Sequence, residues 1–532
     1  MLKNLHTASI LLLLLTAAAC LHADSSLVDL LRIDLDELPQ RDFVRVEETE
    51  SGKAVVVTVP ENSRKGSHWV TVKSLDLKRL RGKKLLFTTF VKGEKISKAP
   101  AYYFGLKYML IIKSESGMSY PQAPAMRGTF DWKKSYFEVN IPRDALSGEL
   151  VAGLQEASGK ASFRNFQISQ GGFLKPPVKL PPNFKCEYTK EFLSRPVTRG
   201  VMSPDPLKMT EKDVDDLGSW GATNIRWQLK GSNAQAVDLD IYDKLIDSQL
   251  NHLEKLLPAF ERNGINVIID MHLLPGGRLD GSGPLGTAGE EAAAIYGNAA
   301  GNRALAEEKY YRAYLETWRR IAARFSKYPI IAGYDLFNEP MQTLDMPHDY
   351  LSIQYDAARE IRKIDPERMI IISPNHWGGP DGFLDFTPLP LKNIVYQTHF
   401  YNPGEYTHQG VFWNSKIGTR YPGVIGGIYT DRKRLAMLMK PVVEFQKKYG
   451  AEIYVGEFSA VRYAPGAARW LEDVISLFEE YGWDWSYHAF RESHFWSVEH
   501  VGPDGAHPVP ADEDTDRKRV LLRYFEKNEK PE

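Results

Sequence analysis

Between Phe43 and Ser169 the apolar residues fall in short runs with a period of two. Val55 to Val59 is a β-branched run, Trp69-Val70-Thr71-Val72 alternates, and Lys84 to Val91 and Tyr136 to Ile141 carry the same pattern on. Gly, Asn, Asp and Ser break these runs at intervals and no helical stripe intervenes, which predicts an antiparallel β-sandwich. After Gly171-Gly172 come Pro176, Pro177, Pro181 and Pro182, a composition that favours extended geometry and cannot pair as a central strand. From about Arg195 the period switches repeatedly between 3.6 and a continuous apolar run. Tyr242, Leu245, Ile246, Leu253, Leu256, Leu257 and Phe260 lie at helical spacing, and Asn266 to Asp270 then reads as a strand buried on both faces. Eight strand candidates follow one another: Gly200 to Met202, Thr223 to Trp227, Asn266 to Met271, Ile330 to Leu336, Met369 to Ser373, Ile394 to His399, Ile453 to Gly456 and Trp483 to Ala489. Eight such units suit a closed (β/α)8 barrel better than an open doubly wound sheet. The fold class expected is α/β, a (β/α)8 TIM barrel over 193–532, preceded by an antiparallel β-sandwich domain over 24–170 and a Pro-rich linker over 171–192.

The first 23 residues carry a different signal. Lys3 supplies a positive start, Ile10 to Leu15 an apolar stretch too short to span a bilayer, and Ala17-Ala18-Ala19 a run of small residues, so 1–23 reads as a secretory signal peptide. Ala17-Ala18-Ala19-Cys20 also resembles a bacterial lipobox, with Ala17 where Leu is usual, so lipid attachment at Cys20 is the alternative ending. The expectation is a secreted or periplasmic protein that meets a membrane only through such an anchor. Cys20 and Cys186 are the two cysteines, which gives no disulfide framework, and core burial must hold the fold. Lys and Arg number 67 against 68 Asp and Glu, a net charge of -1 that provides no field to gather phosphates, so nucleic acid is not an expected partner. A monomer is expected.

In a (β/α)8 barrel chemistry belongs at the carboxyl ends of the strands. There the sequence places Arg226, Asp270 and His272, Asn338 and Glu339, His376 and Trp377, His399 and Tyr401, and Glu457. Apolar strands have no structural need to finish in polar groups, and their convergence on one face points to a site. The histidines sit singly on separate strands with no His-Glu-x-x-His or Cys/His cluster, so neither a metal nor another cofactor is expected. No Gly-x-Ser-x-Gly elbow marks a nucleophilic serine. Structural alternatives are an Arg226–Glu457 ion pair and hydrogen-bonded core roles for His272, His399 and Trp377.

From about Arg195 to Phe525 the chain resembles glycoside hydrolase family 5, the cellulase-like retaining glycosidases. The residues that carry the resemblance are Asp335-Leu336-Phe337-Asn338-Glu339-Pro340, Ile453-Tyr454-Val455-Gly456-Glu457-Phe458 three strands later, Arg226 after Asn224-Ile225, Asp270-Met271-His272, and His399-Phe400-Tyr401 with Thr407-His408-Gln409-Gly410. The resemblance implies Glu339 as acid/base and Glu457 as nucleophile, Arg226 and Tyr401 holding Glu457 ionised, Asn338 on the sugar 2-hydroxyl, and His272 and His399 at the central sugar or orienting its neighbours. Where most members end the eighth strand in a Trp that floors the central sugar, this chain has His488, and Phe490 or Trp496 are the candidates to replace that floor. Trp132 to Pro142, Gly153-Leu154 and Ala161 to Ser169 resemble the closing strands of jelly-roll carbohydrate-binding modules, with Trp69, Tyr102, Tyr103 and Tyr108 as aromatic candidates. Long loops after the third and sixth strands, the second with Tyr406, Phe412, Trp413, Tyr421 and Tyr429, offer rings either to sugars or to their own packing.

Retention needs two carboxyl groups about 5–5.5 Å apart, one protonated when substrate binds and one ionised. The function expected is a retaining β-glycoside hydrolase acting on β-linked polysaccharide or oligosaccharide by double displacement, an endo-β-1,4-glucanase. A β-mannanase or an exo-acting β-glucosidase of the same family is the alternative, and a non-catalytic glycan-binding surface protein is the reading from a different class.

Overall fold

The computed structural model describes residues 42–49, 52–100, 103–172, 176–279, 301–342, 345–411 and 417–529, together with 33–35, 38 and 174. The expected signal peptide and Cys20, the aromatic candidates Tyr102, Phe412 and Trp413, and 280–300 of the loop after the third barrel strand lie outside the described residues. The chain divides into two compact units, one ending at Phe173 and one beginning at Leu174.

The first unit is built of β1 (Val44–Thr49), β2 (Gly52–Val59), β3 (Ser67–Leu75), β4 (Lys84–Ile96), β5 (Gly105–Ser114), β6 (Gly117–Ser119), β7 (Gly128–Asn140), β8 (Ala145–Gln155) and β9 (Gly159–Gln170). They form two antiparallel sheets, in the orders β1-β2-β9-β4-β7 and β3-β8-β5-β6. Alternation decides what lies between them. Leu85, Phe87 and Val91 of β4 point inward to meet Val55, Val57, Tyr108, Leu110, Leu150 and Phe163. Each such side chain taken fully from water contributes about 1.5–3 kcal/mol. Tyr108, expected as a glycan contact, belongs to this core: it is fully buried, and its hydroxyl donates to the Thr88 carbonyl at 3.1 Å. Trp69 is half-buried and Tyr103 exposed. The outward face of the five-stranded sheet instead carries Phe90, 38% exposed, with Trp132 and Tyr136, and the Arg164 guanidinium lies 4.0 Å above the Trp132 ring.

The second unit is a closed barrel of eight parallel strands: β10 (Arg199–Met202), β11 (Asn224–Gln228), β12 (Asn266–Asp270), β13 (Ile331–Asp335), β14 (Met369–Ile372), β15 (Ile394–Phe400), and, after a short hairpin of β16 (Gly423–Ile425) and β17 (Ile428–Thr430), β18 (Glu452–Phe458) and β19 (Asp484–Tyr487). Helices surround it. The longest, Leu239–Asn263, starts where the Asp238 carboxylate accepts the Asp240 and Ile241 amides, a cap contributing about 1 kcal/mol. It ends at Gly264, whose φ of 65° suits a residue without Cβ, and it buries Tyr242, Ile246, Leu250, Leu253, Leu257 and Phe260 along one stripe. Of the segment expected as a linker, the part from Cys186 onward is pinned to the barrel: the Cys186 amide donates to the Tyr449 carbonyl at 2.8 Å and the Tyr188 hydroxyl to the Ile394 carbonyl at 2.9 Å.

Strand alternation also sorts the barrel. Ile225 and Trp227 on β11, Val267 and Ile269 on β12, and Tyr396 and Phe400 on β15 pack outward against the helices. Ile268, Ile371, Val395 and Tyr454 form a layer inside. Arg226, Asp270, Gln397 and His399 share the inward parity. On β18, Ile453 and Val455 face outward, so unbroken alternation would send Glu457 outward too. It does not, because pairing with β15 slips by one residue: Thr398 lies opposite Val455 but His399 opposite Glu457, leaving Gly456 as a bulge. A Cβ on Gly456 would collide with the Gln397 side-chain oxygen, so glycine is what allows the slip.

Candidate active site

Arg226 sits at the centre of the barrel mouth with its side chain fully buried. Its Nη1 donates to Glu457 Oε1 at 2.7 Å, Nε to Asp335 Oδ2 at 2.8 Å, and Nη2 to Asn338 Oδ1 at 3.0 Å, with Asp270 Oδ1 also 3.0 Å from Nη2. One guanidinium thus serves three buried carboxylates. Burial pushes the Asp335 carboxyl up, Arg226 opposes this and Asp270 adds to it, leaving it at about 6. Glu457 goes the other way: burial alone would raise it, but His399 and then Arg226 outweigh burial and hold it below the usual carboxylate range. Tyr401 donates its hydroxyl to Glu457 Oε2 at 2.9 Å, and burial with the neighbouring Glu457 and Glu339 keeps that phenol protonated well above its ordinary value.

Glu339 follows β13 on a left-handed backbone, φ 49°, a conformation rare for a residue with Cβ and one that collects at functional sites. Its Oε1 is 3.0 Å from His399 Nδ1, which in turn lies 3.7 Å from Glu457 Oε2. One ligand-capable atom from each of Glu339, His399 and Glu457 lies within 4.8 Å of the others. Among the described residues these three are the group that could hold a metal ion, although a dication there would sit beside the Arg226 guanidinium that already holds Glu457. Asn338 directs its amide nitrogen toward His272 Nε2 at 3.3 Å, and His272 Nδ1 lies 2.9 Å from Asp270 Oδ2. Trp377, also at positive φ, is 36% exposed rather than part of the core, and Arg278 lies 4.4 Å over its ring while reaching within 3.9 Å of Glu339 Oε2.

His488 occupies the end of the eighth strand. Its Nδ1 is 2.7 Å from the Tyr401 hydroxyl and its Nε2 is 2.7 Å from Glu492 Oε2. Trp496 packs on that imidazole with ring centroids 5.0 Å apart, which brings it to the site. Phe490, the other candidate floor, is buried edge-on against Trp220 at 5.2 Å and cannot meet a sugar. Tyr406 and Tyr421 of the long loop are likewise buried, their hydroxyls donating to the Pro465 carbonyl and to Asp473, while Tyr429 is 62% exposed.

The ten sequence-derived site residues, Arg226, His272, Asn338, Glu339, Trp377, His399, Tyr401, Glu457, His488 and Trp496, are linked around one mouth by these contacts. Four participants lie outside the candidates the sequence places at the strand ends: Asp335, which joins Asp270 beneath Arg226, Arg278 beside Glu339, and the pair Lys230–Glu492, 2.6 Å apart, behind His488. For the two aspartates a signal exists, since an acid inside an apolar strand needs a buried cation. Lys230, Arg278 and Glu492 sit in loops with no comparable signal.

Residues 190–492 match the family model described as Cellulase (glycosyl hydrolase family 5). The chain is similar to Endoglucanase C of Acetivibrio thermocellus, 24% identical over 308 residues that make up 52% of this chain and 84% of that protein. It is also similar to Cellodextrinase A of Ruminococcus flavefaciens, 22% identical over 301 residues, 56% of this chain and 80% of that protein. A structure of Thermotoga maritima Cel5A in complex with cellobiose covers 61% of this chain and 97% of its own, with 23% identity and a TM-score of 0.47.

Proposed function

The chain belongs to glycosyl hydrolase family 5 and is a glycoside hydrolase, and from that premise we propose that it is a retaining endo-β-1,4-glucanase. The observation that carries the proposal is the pairing of Glu339 and Glu457 within 4.8 Å, a separation suited to a nucleophilic carboxylate and too short for an intervening water. Glu457, held ionised by Arg226 and Tyr401, attacks the anomeric carbon while Glu339 gives its proton to the departing glycosidic oxygen. The product of this step is a glycosyl ester on Glu457. Glu339, now ionised, takes a proton from water, whose oxygen attacks the same carbon and returns Glu457 as a carboxylate. Asn338, fixed by Arg226, takes the sugar 2-hydroxyl in this reading, and its contact strengthens as charge develops on the ring. The glucan assignment is supported by the names of its relatives, which include endoglucanases and a cellodextrinase. Export, with lipid attachment at Cys20 as its anchored form, belongs to the same proposal, as does a monomeric state.

Proton NMR of cellohexaose hydrolysis tests the mechanism: the β-anomer is expected first, before mutarotation. An initial α-anomer refutes double displacement. Sizing the products separates internal cleavage from release of single glucose or cellobiose units, and turnover of mannan but not β-glucan would move the substrate assignment within the family.

A further inference from the structure

The Tyr401 hydroxyl has one proton and two neighbours, Glu457 Oε2 at 2.9 Å and His488 Nδ1 at 2.7 Å. An ionised Glu457 can only accept. The far side of the imidazole is fixed as well: His488 Nε2 faces the Glu492 carboxylate at 2.7 Å and must carry a hydrogen, and Glu492 Oε1 accepts from Lys230 Nζ at 2.6 Å. With a neutral ring, Nδ1 is a lone pair that competes with Glu457 for the single phenolic proton. With an imidazolium, Nδ1 donates to the phenol oxygen and every contact from Lys230 to Glu457 has one donor and one acceptor.

We propose that His488 is a positioning residue which, held as an imidazolium by Glu492, itself kept ionised by Lys230, commits the Tyr401 proton to Glu457. The proposal rests on reading Glu457 as the nucleophile. The carboxylates facing His488 agree in sign. Burial works against its charge, but Glu492, and then Glu457 and Glu339 across the mouth, raise it above its ordinary value near 6.5. Glu492, though buried, is brought down to about 2 by His488 and Lys230. The neighbouring His408 is kept neutral, lowered to about 4 by burial and by His488. Trp496 adds an uncharged ring. Above the pH at which His488 loses its second proton, the nucleophile shares its phenol donor with the imidazole.

The test is the pH dependence of kcat/KM on 2,4-dinitrophenyl β-cellobioside, whose leaving group needs no proton from Glu339. The wild-type enzyme should lose about tenfold across an alkaline limb, the scale of one hydrogen bond to a charged group. Glu492→Gln should move that limb down by at least about one pH unit, because a neutral partner no longer supports the imidazolium. Tyr401→Phe should abolish the limb, and adding Glu492→Gln to it should change the profile no further. Nitrogen-15 NMR of the intact enzyme should find both His488 ring nitrogens protonated at pH 7 in wild type. A neutral His488 at pH 7, or a limb that ignores Glu492→Gln, overturns the proposal. Failure of wild type on every dinitrophenyl β-glycoside would instead overturn the glycosidase reading, and the NMR spectra would still decide the state of His488.

Discussion

Replacing Arg226 with Met keeps the reach of the side chain and removes every donor. The loss is concentrated on Glu457 at 2.7 Å, Asp335 at 2.8 Å and Asp270 at 3.0 Å, three carboxylates buried around a cation that is itself fully buried. Taking one partner from a buried pair costs about 3–5 kcal/mol. Here the cost has a ceiling, because the acids can take up protons. Burial already raises Asp335 to about 6 even with Arg226 beside it, so neutralising it near pH 7 costs little. With an unfolding entropy of about 2.1 cal/mol/K per residue over the unit from Leu174 to Glu532, each kcal/mol moves the midpoint by roughly 1.3 °C, so it should fall by about 4–7 °C. The sign of the pH dependence follows. Without Arg226 the folded-state value of Asp335, already raised by burial, climbs further above its unfolded one, and such a group destabilises the fold increasingly as pH climbs past the unfolded value near 4. The deficit against wild type should therefore be larger at pH 8 than at pH 5 by scanning calorimetry. In parallel, the acid limb of kcat/KM, set by a Glu457 now less depressed, should move to higher pH. An equal deficit at both pH values, or a midpoint shift below about 2 °C, refutes the picture of one cation holding three acids.

Glu457→Ala should abolish turnover, whereas Glu339→Ala should keep slow activity on aryl glycosides with good leaving groups and lose it on polysaccharide; full activity of either on β-glucan would remove the pair from the chemistry. In the full chain, Trp132→Ala should weaken retardation in β-glucan gels if the outward face of the five-stranded sheet meets glycan, and unchanged mobility would leave that sandwich a structural role.

The eight barrel strands were legible because each is an apolar run closed by turn residues, and the structure moves their limits by only one or two positions. The pair Glu339 and Glu457 was legible because polar ends on buried strands stand out. Beneath them the sequence was silent about assembly: Arg226 meets Asp335 and Asp270 from different strands, and local pattern does not encode which buried charge neutralises which. The chain Lys230–Glu492–His488 joins loops after β11 and β19, whose residues look like ordinary solvated polar groups. Aromatics misled for a related reason. Tyr108, Tyr406 and Phe490 have the ring expected of a sugar platform, but a ring's use depends on which side of a strand or loop it falls.

The bulge at Gly456 gives reactivity an arithmetic basis. Restoring regular pairing between β15 and β18 would exchange Glu457 for Phe458 on the inner wall, and the mouth would close over with an aromatic ring while the carboxylate turned toward the helices. A barrel of the same composition, with each acid intact in its sequence, would then be inert. The direction in which Glu457 points is thus set one residue earlier in the chain, by a phase shift of one position that the smallest side chain permits.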